Sequence, residues 1–305
     1  MNRVAAICAA ATLVSFLACS GGNGPSNGPT PAAPSGVSHQ PTISAPPALF
    51  VGAGDIADCR SNGAEQTARL LDRFGGTVFT TGDNAYPDGT VRDYERCYGP
   101  TWGRHRGRTR PAPGNHEYHS AGASAYFQYF GGNAGPSGRG YYSFDLGAWH
   151  IISLNSEIDM RAGSAQEQWL RHDLATNPRP CTAAYWHKPL FSSGPHGGFA
   201  PARSLWQTLY EHDVEIVLTG HDHLYERFAP QDAEGSPDPV RGIRQFTLGT
   251  GGAERYEGHN TRPNSEIRGR DWGVLALTLE SSSYRWEFVP VEGATFRDAG
   301  TSSCH

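Results

Sequence analysis

The chain has 305 residues, and its 25 lysines and arginines against 30 aspartates and glutamates give a formal net charge of −5. This balance, without a block of like charge, argues against nucleic acid as the main partner. The 38 glycines, 22 prolines and only 18% charged residues exclude a helical bundle and favour a loop-rich α/β or β protein.

The first nineteen residues have the features of an export signal. Arg3 precedes an apolar run over residues 4–18, which is shorter than the roughly twenty residues that a membrane-spanning helix needs. The run Phe16-Leu17-Ala18-Cys19 resembles a bacterial lipobox, in which the cysteine becomes lipidated. We predict an exported protein that is either anchored through a lipid on Cys19, in the periplasm or at the cell surface, or secreted.

Residues 20–47 contain glycine, serine, asparagine, proline and alanine with almost no large apolar side chain. Such a segment cannot bury enough apolar surface to order itself, so we predict a disordered tether. One folded domain over residues 48–305 is expected to follow.

Four further cysteines form an even set that export would place in an oxidising compartment. Two disulfides are therefore expected. Four cysteines allow three pairings, and the more local closures, Cys59 with Cys97 and Cys181 with Cys304, are preferred.

Apolar runs that resemble buried strands recur along the chain, and each ends in a polar residue. The runs cover residues 48–51, 77–81, 183–186 and 214–219, and the polar residues that follow are Asp55, Asp83, His187 and His221. Helices are predicted between these strands, over residues 64–74, 164–176 and 202–212. Antiparallel strands are predicted over residues 272–279 and 284–291. The pattern predicts an α/β domain with two mixed sheets and outer helices.

Five polar motifs stand in or directly after these segments. They are Gly54-Asp55, Gly82-Asp83-Asn84-Ala85-Tyr86, Gly114-Asn115-His116-Glu117, His187 and Gly220-His221-Asp222-His223. Taken singly, each motif is more often part of a turn than part of a functional site. Together they supply the mixed oxygen and nitrogen ligands that a pair of hard or borderline cations requires, at the sheet edge where α/β proteins bind ligands.

In this order the motifs resemble the calcineurin-like metallophosphoesterases, whose pattern is D-x-H, GD, GNH, H and GHxH, over about residues 48 to 290. The segment Asp55-Ile56-Ala57 lacks the histidine of that pattern, and Tyr86, three residues after Asp83, offers a replacement ligand. This exchange is typical of the purple acid phosphatase branch, which GHDHLYER also resembles. The resemblance implies two mixed β-sheets packed face to face with flanking helices, and a catalytic domain over residues 48–305.

The resemblance also implies two metal ions that share the Asp83 carboxylate. One set of ligands is expected around Fe(3+), and a phenolate ligand should give this ion a visible colour. The second set is expected around Fe(2+), Zn(2+) or Mn(2+). The first set comprises Asp55, Asp83, Tyr86 and His223, and the second comprises Asp83, Asn115, His187 and His221.

The implied function is an exported phosphatase that hydrolyses phosphate monoesters by attack of metal-bound hydroxide on phosphorus. His116 and His196 are the expected catalytic histidines, and Asn115 is expected to contact the phosphate with them. Glu117 is expected to orient His116.

Two alternative functions stay open. One is a phosphodiesterase or nucleotide phosphatase that uses the same site, and the other is a non-catalytic surface binding protein. The expected partner is a small phosphate ester, with no nucleic acid, with membrane attachment only through Cys19, and with a monomeric chain.

Overall fold

The structure is a computed structural model that describes residues 46–256 and 261–305. The predicted export signal over residues 1–19, with the lipid attachment expected at Cys19, lies outside the described residues, as does nearly all of the predicted tether over residues 20–47. Within the described ranges, no helix has the length and apolar character to cross a membrane.

The described residues form thirteen strands and five α-helices. The strands are β1 (Ala48–Ala53), β2 (Thr77–Thr81), β3 (Thr109–Ala112), β4 (Tyr142–Leu146), β5 (Trp149–Ser153), β6 (Cys181–Tyr185), β7 (Ile216–Thr219), β8 (Tyr225–Phe228), β9 (Arg244–Leu248), β10 (Ser265–Gly269), β11 (Gly273–Leu279), β12 (Ser283–Pro290) and β13 (Asp298–Ser303). The helices are α1 (Gly63–Leu71), α2 (Val91–Asp93), α3 (Ser124–Phe130), α4 (Ala165–Thr176) and α5 (Arg203–Glu211).

Shorter helical turns complete the secondary structure. A π-helical turn over Tyr94–Tyr98 continues α2. The 3-10 turns are Trp102–Arg108, Glu117–His119, Ala121–Ala123, Gly131–Ala134 and Ala200–Ala202.

Both sheets are mixed. The first has the strand order β13-β12-β11-β1-β2-β3, in which β1, β2 and β3 are parallel and the remaining pairs antiparallel. The second has the order β10-β8-β9-β7-β6-β5-β4, in which β5, β6, β7 and β9 are parallel. The predicted antiparallel strands near the C-terminal end are confirmed as β11 and β12, which pair from Gly273 with Pro290 to Leu279 with Tyr284.

A core of large apolar side chains lies between the two sheets. Phe50 of β1 contacts Phe79 of β2 at a centroid distance of 4.7 Å and Tyr185 of β6, in the other sheet, at 5.8 Å. Two further cores cover the outer faces, one beneath α1 and α3 and the other beneath α4 and α5. The predicted fold class, two mixed sheets packed face to face with flanking helices, is confirmed.

The three predicted helices are present with nearly the predicted bounds, as α1, α4 and α5. At the start of α4 the Ser164 hydroxyl accepts a hydrogen bond from the Glu167 backbone N–H at 3.2 Å, which satisfies one of the free donors of the first turn.

Both preferred disulfides are confirmed. Cys59–Cys97 joins the loop after β1 to the π-helical turn, and Cys181–Cys304 joins the first residue of β6 to the C-terminal end of the chain beyond β13. The second bond therefore links the two sheets covalently. In a chain-entropy estimate, each bond stabilises the fold by roughly 3–5 kcal/mol.

Candidate metal centre

Strands of both sheets deliver their following residues to one place. Asp55 follows β1 and Asp83 follows β2, while His187 follows β6 and His221 follows β7. Asp55, Asp83 and His221 have positive φ angles of 58°, 49° and 72°. These left-handed conformations cost about 1 kcal/mol or more each, and such backbone strain concentrates at functional sites.

Two glycines of the motifs permit this convergence. A Cβ atom on Gly114 would lie 2.2 Å from the Asp83 Oδ1, and one on Gly220 would lie 2.6 Å from the Asp55 Oδ2. Neither position has room for a side chain. The glycines before Asn115 and His221 are therefore required by the close approach of the backbone to the carboxylates.

The first predicted set of ligands is assembled around the Tyr86 hydroxyl. This oxygen lies 3.0 Å from the Asp55 Oδ1, 3.2 Å from the Asp83 Oδ2 and 3.1 Å from the His223 Nε2. A phenol has one proton to donate and cannot satisfy two carboxylate oxygens at once. The four donor atoms are thus arranged as they would be around a shared cation.

The second predicted set is assembled around the His187 Nε2. This nitrogen lies 3.2 Å from the Asp83 Oδ2, 3.1 Å from the Asn115 Oδ1 and 3.2 Å from the His221 Nδ1. The same Asp83 oxygen therefore contacts both sets, which is the position that a bridging carboxylate would have.

At this centre, burial and neighbouring charges shift the pKa values of the ionisable side chains in opposite directions. Burial disfavours charge on Asp83, yet the neighbouring His187 lowers the pKa of the carboxyl. Burial likewise disfavours charge on His187, but the Asp83 carboxylate raises its pKa to about 10. Burial and the Asp55 carboxylate raise the pKa of the Tyr86 phenol well above its usual value. Protons on His187 and Tyr86 thus compensate the buried carboxylates, a role that a bound cation would also serve.

The donor chemistry fits two different metals. Two carboxylates, a phenol and an imidazole form the first set, and its hard anionic oxygens suit a ferric ion. A carboxylate, an amide oxygen and two imidazoles form the second set, which suits a divalent borderline ion. The His187 Nδ1 contacts the Thr81 carbonyl at 2.8 Å, and the His223 Nδ1 contacts the Glu254 carbonyl. These contacts leave the Nε2 atoms for the centre.

The two predicted catalytic histidines pack against different predicted ligands. His116 packs against the Tyr86 ring at a centroid distance of 4.3 Å, and its side chain is 26% exposed. Its Nδ1 contacts the Pro87 carbonyl. His196 stacks on His221 at 4.3 Å with an interplanar angle of 28°. Each histidine therefore borders a different set of ligands.

The expected role of Glu117, to orient His116, is wrong. The Glu117 carboxylate points inward and accepts hydrogen bonds from the backbone N–H groups of Asn84 at 2.9 Å and Gly114 at 2.7 Å. Burial and the charge of Asp83 raise its pKa to about 8. Glu117 instead joins the loop that carries Tyr86 to the loop that carries Asn115.

Tyr256 is a residue of the site that sequence reasoning missed. Its ring stacks on His223 at 4.0 Å with an interplanar angle of 8°, and its hydroxyl lies 3.4 Å from the His196 Nε2. Burial and nearby carboxylates raise its pKa to about 12. Tyr256 belongs to no motif, and its position soon after the glycine-rich turn over residues 249–252 is the one signal that could have identified it.

Asp222, the middle residue of the last motif, has a structural role that the motif did not predict. Its Oδ1 accepts the backbone N–H of His196 at 3.0 Å, and its Oδ2 accepts the Ser192 hydroxyl. The side chain thus fixes the loop that carries His196.

Comparison with known proteins places this fold and site in a family. The model of the calcineurin-like phosphoesterase family matches residues 42–225, more than half of the chain. The chain therefore belongs to the calcineurin-like phosphoesterase family.

Curated relatives narrow the resemblance to purple acid phosphatases. The chain is 34% identical over 172 residues to probable purple acid phosphatase 20 of Arabidopsis thaliana, covering 51% of this chain and 39% of the relative. It is 30% identical over 267 residues to purple acid phosphatase 21 of the same plant, covering 76% and 57%. The chain thus spans between about two fifths and three fifths of the length of these relatives.

Solved structures share the fold. A purple acid phosphatase from yellow lupin (Lupinus luteus) seeds superposes with a TM-score of 0.71 at 20% identity, covering 85% of this chain and 54% of that chain. GAP50, described as the anchor in the inner membrane complex of Plasmodium, superposes with a TM-score of 0.68 at 15% identity, covering 85% and 89%. At these identities the likeness concerns the fold alone.

Proposed function

We propose that this protein is a metal-dependent phosphatase that hydrolyses phosphate monoesters. The observation that carries the proposal is the pair of four-atom donor sets that share the Asp83 Oδ2 atom. Similarity to purple acid phosphatases supports the same reaction.

Asp55, Asp83, Tyr86 and His223 would hold Fe(3+), and Asp83, Asn115, His187 and His221 would hold Fe(2+), Zn(2+) or Mn(2+). When bound, the metal ions would supply Lewis acidity toward the phosphate oxygens and lower the pKa of a water molecule.

The chain itself would supply the proton for the leaving group. The contact between the His116 Nδ1 and the Pro87 carbonyl requires a hydrogen on that nitrogen, since a carbonyl only accepts. A protonated His116 therefore carries its transferable proton on Nε2, which can pass to the leaving oxygen.

Asn115 and His196 would position the phosphate. The Asn115 Oδ1 faces the second set of ligands, which leaves its amide N–H groups free to donate to a phosphate oxygen. His196 is placed beside His221 by stacking and by the backbone contact to Asp222.

The proposed location is outside the cytoplasm. The disulfides Cys59–Cys97 and Cys181–Cys304 support an oxidising compartment. The enzyme would be a monomer, either anchored by a lipid on Cys19 or secreted. Intact-mass measurement of the native protein distinguishes these two states, because only a lipoprotein carries acyl mass on an N-terminal Cys19.

Metal analysis with a visible absorption spectrum tests the centre. The proposal expects two metal ions per chain, iron among them, and a broad visible band that Tyr86→Phe removes or shifts. If two metal ions are found without such a band, the protein would still be a binuclear phosphoesterase, but the assignment of iron bound by a phenolate would be wrong. A protein that binds no metal would refute the proposed function.

Substrate preference is tested with p-nitrophenyl phosphate and bis(p-nitrophenyl) phosphate. Faster monoester hydrolysis is expected, and a diester preference would make the protein a phosphodiesterase. A metal-loaded protein inert on both esters would favour the binding-protein alternative, and one relative is named probable inactive purple acid phosphatase 1.

A further inference from the structure

A cavity of about 560 Å³ opens beside the candidate metal centre. Its lining includes Tyr86 and Pro87 and three arginines, Arg60, Arg92 and Arg96. No motif identified in the sequence includes these arginines.

The cavity shares a wall with the catalytic site. The Tyr86 hydroxyl lies 3.0 Å from the Asp55 Oδ1 in the first set of ligands, and the ring of the same residue packs against His116. The Pro87 carbonyl contacts the His116 Nδ1. Tyr86 and Pro87 therefore border both His116 and the cavity.

Two of the three arginines have no ion-pair or hydrogen-bond partner within the part of the chain that the structure describes. Arg60 forms an ion pair with Asp58 at 2.7 Å. Arg92 and Arg96 are exposed, and among the described residues their guanidinium groups form no ion pair or hydrogen bond.

The other acidic residue of the cavity, Asp93, is already engaged. Its Oδ2 accepts the Thr90 hydroxyl at 2.7 Å and the Thr90 backbone N–H at 3.0 Å, which caps α2. Three arginines against Asp58 and Asp93 leave the cavity with an excess of positive charge.

A covalent link spans the two sides of the arginine group. The Cys59–Cys97 disulfide connects the neighbour of Arg60 to the neighbour of Arg96. The separation of the two arginine-bearing segments is therefore restrained before any ligand binds, which reduces the ordering cost of binding.

We propose that this cavity binds a second phosphate group of the substrate, so that the enzyme prefers phosphate compounds with two or more linked phosphates, such as nucleoside diphosphates. The inference rests on the proposed function. Guanidinium groups match phosphate oxygens with paired, charge-assisted hydrogen bonds, which suits Arg92 and Arg96 to this task.

With ADP the reaction would consume one water and give AMP and inorganic phosphate. The bond between the β-phosphorus and the bridging oxygen breaks, and a new bond forms between that phosphorus and the water oxygen. The α-phosphate would occupy the arginine cavity and leave with AMP after receiving a proton on the bridging oxygen.

The kinetic test compares ADP with p-nitrophenyl phosphate, which has a single phosphate, on the Arg92→Gln/Arg96→Gln variant. We expect kcat/KM for ADP to fall about fivefold, with less than a twofold change for p-nitrophenyl phosphate. The matched control is Arg73→Gln, because Arg73 is also exposed and lines a separate cavity near α1. An equal change for both substrates would overturn the inference.

Calorimetric binding of tripolyphosphate and of inorganic phosphate requires no turnover. The inference expects tighter binding of tripolyphosphate, and loss of this preference in the double variant but not in Arg73→Gln. The same preference for tripolyphosphate over inorganic phosphate in the wild type, the double variant and Arg73→Gln would refute phosphate binding by the arginine cavity. Inactivity of the metal-loaded wild type on p-nitrophenyl phosphate would instead refute the proposed function, and the calorimetric comparison would still decide the cavity.

Discussion

The donor atoms at the centre and the residues at its rim are constrained in different ways. Asp55, Asp83 and His187 are fully or almost fully buried and follow strands of the two sheets directly. His196 and Tyr256 lie on loops and depend on ring stacking and single hydrogen bonds. The comparison teaches that strand ends fix the positions of Asp55, Asp83 and His187, whereas loops carry the two rim residues His196 and Tyr256.

The strongest test of this difference is Asp83→Asn. The substitution removes the charge shared by both sets of ligands, so we expect loss of metal from both sites and a fall in kcat of about a thousandfold. Elemental analysis and kcat measure the two effects. The control is Asp145→Asn. Asp145 lies on β4 and forms an ion pair with the buried His150, so this variant should retain both metals. Full metal content in Asp83→Asn would contradict the bridging position.

The rim should respond differently. His116→Ala is expected to lower kcat about a hundredfold while the metal content stays at the wild-type value, because in the proposed function this side chain would transfer a proton and hold no metal. The same elemental and kinetic measurements apply. Loss of metal from this variant would mean that His116 belongs to the metal centre and not to its rim.

Tyr256 sharpens the comparison because it contacts the proposed metal ligand His223 and the rim histidine His196. Tyr256→Phe keeps the stack on His223 and loses the hydroxyl near His196, so kcat/KM should fall about threefold with an unchanged visible spectrum. Tyr256→Ala removes both contacts and should also shift the visible band. Identical spectra in the two variants would show that stacking has no influence on His223.

A buried acid away from the centre should affect stability alone. Burial raises the pKa of Glu215 to about 8, and its Oε2 accepts the Thr182 backbone N–H at 2.6 Å. The protonated form therefore stabilises the fold. This stability is complete below the unfolded pKa of about 4.3 and is lost as pH rises through about 8.

Urea unfolding between pH 5 and pH 8.5 measures this contribution, which we expect to be about 4 kcal/mol. Glu215→Gln, which cannot ionise, should weaken the dependence on pH and leave kcat unchanged. An identical slope in wild type and variant would rule out a raised pKa at Glu215.

Local sequence signals predicted much of the fold. Six of the thirteen strands, the helix boundaries at Ser164 and Thr176, and the fold class were recoverable because apolar periodicity and capping act within a few residues. The antiparallel pair at the C-terminal end was predicted from alternation, although β11 is buried on both faces while β12 alternates. Central strands lose alternation when helices cover the outer face.

The candidate site, like the fold, was predictable where its geometry is local and not where it depends on packing between separate loops. Residue types and spacing indicated Asp55, Asp83 and Tyr86 as candidate ligands that would lie together, because short glycine-bounded motifs that follow strands have a locally determined geometry. The direction of the Glu117 side chain was mispredicted, since its partners Asn84 and Gly114 are set by the packing of two separate loops.

The sequence by itself determined the strands, the kinds of donor atom and their order along the chain, because these depend on interactions between near neighbours. Only the tertiary structure decided that Tyr256 covers His223 and that Arg60 and Arg96 line one cavity with Tyr86. These contacts join segments remote in sequence, and their geometry depends on how two sheets and a disulfide-linked loop pack together.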